Sequence, residues 1–345
     1  MPALITNYSS EPEYSSYELR QKIRRGEIKG STSGLARTMQ ANLIVLPSRY
    51  AKDFRNLCLR NPVPCPLLEY TSRGDYTSRL ALDSDLRTDI PAYNVFKDGK
   101  LVSRRKSNIM DEWTDDHVGF LIGCSYSFET ALKEAGLEPM CSKKNMAVPM
   151  YVTNIPLNSA GVFSGYYVVS MRSYKPCDIP RVREITGQYI KQHGEPIAWG
   201  WEGAEKIGVK RKIEMGLVDF GDFVDIPDDE VPVFWGCGVT PQVAVQESRL
   251  KGVVMSHLPG YVYASFFDSI TLYIQPFPVT ASPSIPGAAY AQSRIDQDTI
   301  GANAVTSRFP LFFAVVVIVE EKFFTSSKSL IRICPQFNVC HGSGS

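Results

Sequence analysis

Phe120-Leu-Ile-Gly-Cys-Ser-Tyr-Ser-Phe-Glu-Thr-Ala-Leu132 and Val233-Phe-Trp-Gly-Cys-Gly-Val-Thr-Pro-Gln-Val-Ala-Val245 align without a gap, 113 residues apart. Each segment predicts a buried apolar strand that ends at Gly-Cys and turns into a helix, with N-caps at Ser127 and Thr240. Pro241 would then take the first helical position, where proline is favoured. The sequence therefore predicts an internally duplicated strand-turn-helix unit.

The two predicted turns also indicate a binding site. A helix N-terminus presents unpaired backbone N–H groups and the positive end of the helix dipole, which together attract carboxylates. Two facing copies would form a pocket for a small acidic molecule. We therefore expect the Cα atoms of Cys124 and Cys237 to lie within about 15 Å of each other, the scale of a small-ligand pocket. The alternative is a pair of purely structural units with buried thiols.

Length and charge limit the class of protein. The 345 residues, 44% of them hydrophobic, can bury a large core and fit one large or two ordinary domains. The net charge is +1, and the short basic runs at 20–25 and 104–106 are typical of solvated faces rather than of nucleic-acid contacts. No run reaches the roughly 18 to 20 apolar residues of a membrane span. We expect a globular protein with a small-molecule substrate and no nucleic-acid or membrane partner. The sequence leaves open whether the chain forms a homo-oligomer.

Cysteine and histidine usage argues against a metal. The eight cysteines form no CxxC pair, and the four histidines form no HxH or HExxH group. We expect reduced thiols, no metal and no cofactor. The N-terminus lacks a secretory pattern and carries Glu11, Glu13 and Glu18, which disfavours an Arg-rich transit peptide. The sequence thus favours a cytoplasmic protein, with a mitochondrial location as the alternative.

Apolar runs and turn residues predict strands alternating with helices. The predicted strands are 41–46, 67–70, 93–96, 101–103, 168–171, 196–199 and 231–235, and the predicted helices are 14–25, 48–58 and 179–191. Asp98-Gly99 is a hairpin signal. This order predicts an α/β fold with a mixed sheet, flanking helices and two lobes, one of them a small lobe at about 150–215.

The composition changes near residue 262. The final 84 residues hold 10 of the 73 charged residues and show no clear period. We therefore expect one domain over 14–261 and a poorly ordered tail over 262–345. Our hypothesis for the tail is translated intron or a mis-called exon.

Ordered motifs recur along the first 261 residues, among them Gly30-Ser-Thr-Ser-Gly-Leu-Ala36, Cys58-Leu-Arg-Asn-Pro-Val-Pro-Cys-Pro-Leu-Leu-Glu69, Asp85-Leu-Arg-Thr-Asp89, Val168-Val-Ser-Met-Arg172, Asp219-Phe-Gly-Asp222 and Pro232 to Gln242. Together they resemble the D-glutamate cyclase family over roughly residues 17 to 261. The resemblance implies a two-lobed α/β fold and cofactor-free conversion of D-glutamate to 5-oxo-D-proline with loss of water. Two departures from the family pattern are Arg37-Thr38, where a Pro-Gly pair is expected, and the long segment after Gly260.

The implied chemistry sets what the site must contain. The substrate's own amine attacks its side-chain carboxyl carbon, so the site needs a base, a proton for the departing oxygen and donors to the oxyanion. Our acid and base candidates are Asp85, Asp89, Glu129 and His257. Arg87 and Arg172 could bind the α-carboxylate in bidentate fashion, or could equally be structural ion-pair partners.

Small polar groups complete the predicted site. The candidate donors to the oxyanion or substrate are Thr32, Ser33, Asn42, Ser125, Ser127, Asn154 and Thr240, whose alternative roles are capping, turn formation and amide pairing in the core. Cys124 and Cys237 precede helix N-termini, where the pKa of a thiol can fall. A tethered amine needs no covalent intermediate, so we favour proton transfer or packing for these thiols. A second hypothesis is a catalytically silent protein that binds an acidic amino acid or 5-oxoproline.

Overall fold

The computed structural model describes residues 14–32, 35, 38–144 and 146–265, and these residues form two β-sheets with helices packed on them. The first sheet contains, in spatial order, β2 (Leu67–Tyr70), β5 (His117–Gly123), β1 (Gln40–Pro47), β10 (Val253–His257), β3 (Tyr93–Lys97) and β4 (Lys100–Lys106), with β11 (Tyr263–Ala264) paired to the start of β1. The second contains β6 (Met150–Pro156), β7 (Tyr166–Tyr174), β9 (Val231–Gly236) and β8 (Ala198–Trp199). The predicted α/β class is confirmed.

Helices connect these strands and cover the sheets. Among the described residues they are α1 (Ser16–Arg24), α2 (Ser48–Arg60), α3 (Tyr126–Glu134), α4 (Met140–Lys143), α5 (Ile179–Gly187), α6 (Gly200–Lys206), α7 (Lys210–Glu214) and α8 (Val239–Glu247). A 3₁₀ turn at Ile190–Gln192 follows α5, where the sequence predicted a continuous helix to residue 191. None of the helices in the described part has the length and hydropathy needed to cross a membrane.

The strands in both sheets pair antiparallel wherever the structure describes them. The sequence predicted a mixed sheet because strands alternate with helices along the chain. β1 and β5 are continuous apolar runs, which are typical of strands covered on both faces. Both strands are indeed buried along their whole length. Leu43 and Leu121 pack in one apolar cluster, whereas Ile44 and Phe120 pack in another on the opposite face. The continuous apolar runs of β1 and β5 therefore reflect burial on both faces of the sheet and not parallel strand direction.

The described fold extends slightly past the predicted boundary at 262. The backbone N–H of Val262 donates to the Thr32 hydroxyl at 2.7 Å, and that hydroxyl lies 2.9 Å from the Val262 carbonyl oxygen. Tyr263 is fully buried, and the Arg20 guanidinium donates to the carbonyl of Ala264 at 2.9 Å. Tyr263 and Ala264 thus form β11 of the first sheet, and residues 262 and 265 flank it. The rest of the predicted tail, 266–345, lies outside the described residues.

Candidate active site

The first Gly-Cys turn joins β5 to α3 and is tied to the start of β1. The N–H of Cys124 donates to the carbonyl oxygen of Gln40 at 3.1 Å, and the N–H of Gln40 donates to the Ser127 hydroxyl at 2.9 Å. The Ser127 hydroxyl therefore accepts a hydrogen bond from the backbone of the neighbouring strand β1. It does not cap its own helix, which begins at Tyr126 with Ser125 as its N-cap residue.

The second turn, between β9 and α8, makes the same contacts to β7. The N–H of Cys237 donates to the carbonyl oxygen of Val168 at 3.1 Å, and the N–H of Val168 donates to the Thr240 hydroxyl at 2.9 Å. Here too the helix begins one residue before the predicted N-cap, at Val239. The predicted capping roles of both hydroxyls are wrong. Each hydroxyl, three residues after its cysteine, instead accepts a hydrogen bond from the backbone N–H of a neighbouring strand.

Asn42 contacts both turns. Its Nδ2 donates to the carbonyl oxygen of Gly123 at 3.0 Å. On the other side, a Cβ added at Gly238 would lie 2.0 Å from that same Nδ2, so a side chain here would displace the Asn42 amide. The two turns therefore lie side by side around one amide, and Cys237 is close enough to Cys124 to contribute to its pKa.

Both thiols are neutral at physiological pH. Burial raises the pKa of Cys124 to about 12 and that of Cys237 to about 11. The N–H groups of Tyr126 and Val239 bond to these sulfur atoms and act in the opposite direction, but burial outweighs them. The expectation that the helix N-termini lower these pKa values is wrong. Neutral buried thiols fit packing better than nucleophilic attack.

Arg172, on β7, is the charged centre of the site. Its guanidinium is fully buried and donates through Nε to Glu129 at 3.0 Å and through Nη2 to the same carboxylate. Nη2 also donates to the Ser125 hydroxyl and Nη1 to the Ser170 hydroxyl, both at 3.1 Å. These four contacts use four of the five guanidinium N–H groups. Arg172 is thus held by the protein, and its remaining Nη1 hydrogen is what it can offer to a carboxylate.

Arg172 also faces an opening. A small recess of about 10 Å³, room for about one water-sized molecule, lies beside it, lined by Met140, Cys141, Pro149, Met171, Arg172, Ser173 and Val224. Across the guanidinium, the rings of Phe128 and Trp235 lie with their centroids 5.2 and 5.4 Å from its central carbon. Aromatic rings on one side and polar partners on the other fix its orientation.

His193 is a site residue that the sequence analysis missed. It follows the 3₁₀ turn with φ of 82°, a backbone conformation that non-glycine residues rarely adopt and that is common at functional sites. Its Nδ1 lies 2.7 Å from the carbonyl oxygen of Val63. A carbonyl can only accept, so Nδ1 carries the proton and Nε2 the lone pair. Within the described residues Nε2 makes no hydrogen bond of normal geometry, although the Gly123 backbone lies near enough to the imidazole to act on its pKa.

The segment that carries His193 packs against the first turn, and Val63, the hydrogen-bond partner of His193, packs against the second. A Cβ added at Gly123 would lie 1.8 Å from the carbonyl oxygen of Lys191, and one added at Gly236 would lie 3.0 Å from the carbonyl oxygen of Val63. Burial lowers the pKa of His193 to about 4, and the nearby Arg172 charge acts in the same direction. The imidazole is therefore neutral at physiological pH.

Gln192, beside His193, was also missed. Its side chain is fully buried, and neither Oε1 nor Nε2 has a partner in the described part of the chain. The same holds for Oε1 of Gln40, on the other side of the Gly123 turn. The only sequence signal was a polar Gln-His-Gly run after an amphipathic helix, which is common in loops.

Asp85, Arg87 and Asp89 belong to a separate ion-pair network. Arg87 donates to both carboxylate oxygens of Asp85, at 2.9 and 2.8 Å, and its guanidinium carbon lies 3.3 Å from the centroid of the Tyr76 ring. Buried Asp89 accepts from Arg24 at 2.6 Å and from the N–H of Asp85 at 2.8 Å. Burial raises the pKa of Asp89, although Arg24 opposes the shift. These contacts match the structural alternative for the three residues.

The remaining candidates divide between the interior and the surface. His257 lies behind α8, with Nδ1 3.1 Å from the backbone N and O of Leu43 and Nε2 3.1 Å from Nε2 of Gln242. Burial lowers the pKa of His257 to about 4. Asn154 is exposed and donates to the Lys206 carbonyl at 3.1 Å.

Eight of the predicted site residues lie around the two turns: Asn42, Cys124, Ser125, Ser127, Glu129, Arg172, Cys237 and Thr240. It places Asp85, Arg87, Asp89, Thr32, Asn154 and His257 in other contacts. Ser33 lies outside the described residues. Across the part that the structure covers, no three His, Cys, Asp or Glu side chains are grouped as metal ligands would be.

Comparison with known proteins gives consistent relatives. A family model described as D-glutamate cyclase matches residues 118–265. A Schizosaccharomyces pombe protein named "Putative hydro-lyase" is 50% identical over 264 residues, covering 75% of this chain and 86% of the relative. Proteins of the same name from Rubrobacter xylanophilus and Staphylococcus saprophyticus are 45% identical over 250 residues and 42% over 247. They cover 72% and 71% of this chain, and 94% and 92% of their own lengths.

Proposed function

The chain belongs to the D-glutamate cyclase family, and from that premise we propose that it is a hydro-lyase that converts D-glutamate to 5-oxo-D-proline and water without a cofactor. The observation that carries the proposal is that Arg172 donates to Ser125 and is near enough to affect the pKa of His193, whose segment packs against the Gly123 turn. Each of the three supplies something that cyclisation needs.

His193 is the proposed base. The attacking nitrogen arrives as an ammonium and must lose a proton before it can act as a nucleophile. The Nε2 lone pair of a neutral, buried imidazole can take that proton, and the Val63 carbonyl holds the ring in the required tautomer. Over the whole reaction the nitrogen loses two protons and the departing oxygen gains two. One base that accepts and returns protons therefore balances the reaction.

Ser125 is the proposed donor to the oxyanion. Its hydroxyl oxygen accepts a hydrogen bond from Arg172, which leaves the hydroxyl proton free to donate. Attack on the carboxyl carbon places negative charge on oxygen, and a donor polarised by a buried cation stabilises that charge. Arg172 is itself held in place by Glu129, so the donor is fixed before the substrate arrives. Arg172 is then a positioning residue for Ser125.

The neutral thiols of Cys124 and Cys237 have no covalent role in this scheme. The nucleophile is part of the substrate, so the enzyme gains by bringing the amine and the carboxyl together instead of forming an acyl intermediate. The site needs to hold the substrate with its amine next to its side-chain carboxyl group, to take up protons, and to stabilise the negative charge on the oxyanion.

The test is turnover by the purified full-length chain. D-Glutamate, L-glutamate and 5-oxo-D-proline are each incubated with the protein, and all species are followed by chiral chromatography. We expect loss of D-glutamate with matching formation of 5-oxo-D-proline, and no such product from Ser125→Ala when its circular dichroism spectrum is unchanged. Saturable binding of D-glutamate with no turnover in either direction would overturn the proposal and identify a silent binding protein instead.

A further inference from the structure

The Gln192 carboxamide is a buried polar group that the scheme above does not use. The side chain is fully buried, and both its oxygen and its nitrogen lack partners among the residues described. Buried amides are nearly always hydrogen-bonded, because losing water without gaining a partner is unfavourable. Two unpartnered atoms on one carboxamide can therefore be matched by a ligand that supplies an acceptor and a donor together.

The protein holds Gln192 firmly next to the proposed base. Its backbone N–H donates to the carbonyl of Tyr189 at 2.7 Å, and its Cα would lie 3.2 Å from a Cβ added at Gly123. His193 follows directly, and its Nε2 also makes no hydrogen bond of normal geometry in this part of the chain. The carboxamide and the imidazole are thus consecutive residues against the same turn.

We propose that the Gln192 carboxamide binds the lactam edge of 5-oxoproline; this inference rests on the proposed function. In a five-membered lactam the N–H and the C=O lie on the same side of the amide bond. Such an edge matches a primary carboxamide, with Nε2–H donating to the ring carbonyl and the ring N–H donating to Oε1.

Before ring closure the same two atoms hold the two reacting ends of glutamate. Nε2–H donates to the side-chain carboxylate, and Oε1 accepts from the ammonium. Gln192 therefore brings the nucleophile and the electrophile together, which is the contribution that a tethered reaction needs most. It also discriminates between ligands, because a ring without the carbonyl would leave Nε2–H unpaired.

The experiment compares two ligands with three proteins. The affinities of 5-oxo-D-proline and D-proline, which lacks the ring carbonyl, are measured by isothermal titration calorimetry. Gln192→Met removes both polar atoms at similar size, and Gln192→Glu keeps the size and the acceptor but loses the donor. The matched control is Gln188→Met, an exposed glutamine four residues earlier.

We expect the wild-type chain to prefer 5-oxo-D-proline. Gln192→Met should lower that preference by about tenfold or more, since position 192 then offers no polar atom to the lactam, and Gln188→Met should leave it unchanged. Should Gln192→Met fail to fold, Gln192→Glu should still lose the preference, because a carboxylate repels the ring carbonyl. An unchanged preference in either folded variant would overturn the inference.

Turnover separates this inference from the proposed function. If the wild-type chain shows a Gln192-dependent preference but does not cyclise D-glutamate, the function is refuted and the lactam contact stands. If it cyclises D-glutamate and a folded Gln192→Met does so with the same kcat and KM, the function stands and the lactam contact is refuted.

Discussion

Replacing Gly123 by alanine should remove most of the activity, because the added methyl group meets backbone and not a movable side chain. A Cβ at this position lies 1.8 Å from the carbonyl oxygen of Lys191 and 3.2 Å from the Cα of Gln192, whereas ordinary contact begins near 3.4 Å. The segment that carries Gln192 and His193 must therefore retreat by about 1.6 Å from the turn.

That displacement sets the expected size of the effect. A shift of about 1 Å in a catalytic group costs on the order of 100-fold in rate, so kcat should fall by at least about 100-fold. Overpacking a buried contact costs about 1 to 3 kcal/mol of unfolding free energy. A domain of this size should survive that loss, since typical stabilities are about 5 to 15 kcal/mol.

The assay pairs turnover of D-glutamate with urea unfolding. The control is Gly203→Ala, within α6, where the added Cβ comes no closer than 3.4 Å to its neighbours and alanine favours the helix. The control should keep its kcat within about threefold of wild type, because the added methyl group makes only ordinary contacts. A Gly123→Ala protein with normal kcat and normal urea midpoint would refute the proposed closeness of the segment and the turn.

Three further predictions follow from burial and pairing. Burial lowers the pKa of His193 and His257 to about 4, below about 6.5 in the unfolded chain, so the unfolded state binds these protons more tightly. The contribution of the two neutral histidines to the unfolding free energy should be complete above about pH 6.5 and should fall by about 3 kcal/mol for each histidine as the pH drops toward 4. Urea midpoints measured across this pH range test it, and midpoints that do not change with pH would contradict the burial of the two imidazoles. Arg87→Ala should lower the unfolding free energy by about 1 kcal/mol and leave KM and kcat nearly unchanged, because Arg87 is committed to Asp85; lost turnover at an unchanged melting temperature would restore it as a carboxylate clamp. Cys124→Ala should keep kcat within about tenfold, because burial keeps that thiol neutral; complete loss of turnover in a folded protein would require a covalent role.

The sequence was most informative where local chemistry decides the structure. The duplicated Gly-Cys segments correctly predicted two buried strands that turn into helices, and the two turns make matching hydrogen bonds to their neighbouring strands. The Asp98-Gly99 signal correctly placed the hairpin between β3 and β4. These features depend on apolar runs and turn residues within about ten positions, which periodicity and propensity describe well.

The sequence was least informative where contacts join distant segments. Strand direction does not follow from an apolar run, so the antiparallel pairing of β1 with β5 was missed. The pKa of Cys124 depends on burial as well as on the helix N-terminus, and only the packed structure shows which effect is larger. Gln192 and His193 looked like ordinary loop residues, because the contact that places them at Gly123 spans about seventy residues.

The position of bound 5-oxo-D-proline tests the central claim most directly. A crystal structure of the full-length chain grown with this compound should show the lactam against the Gly123 turn, with its ring amide on the Gln192 carboxamide and its ring oxygen within about 3.2 Å of the Ser125 hydroxyl. Density for the ligand at the Asp85 and Asp89 network, with the Gly123 turn unoccupied, would contradict the claim.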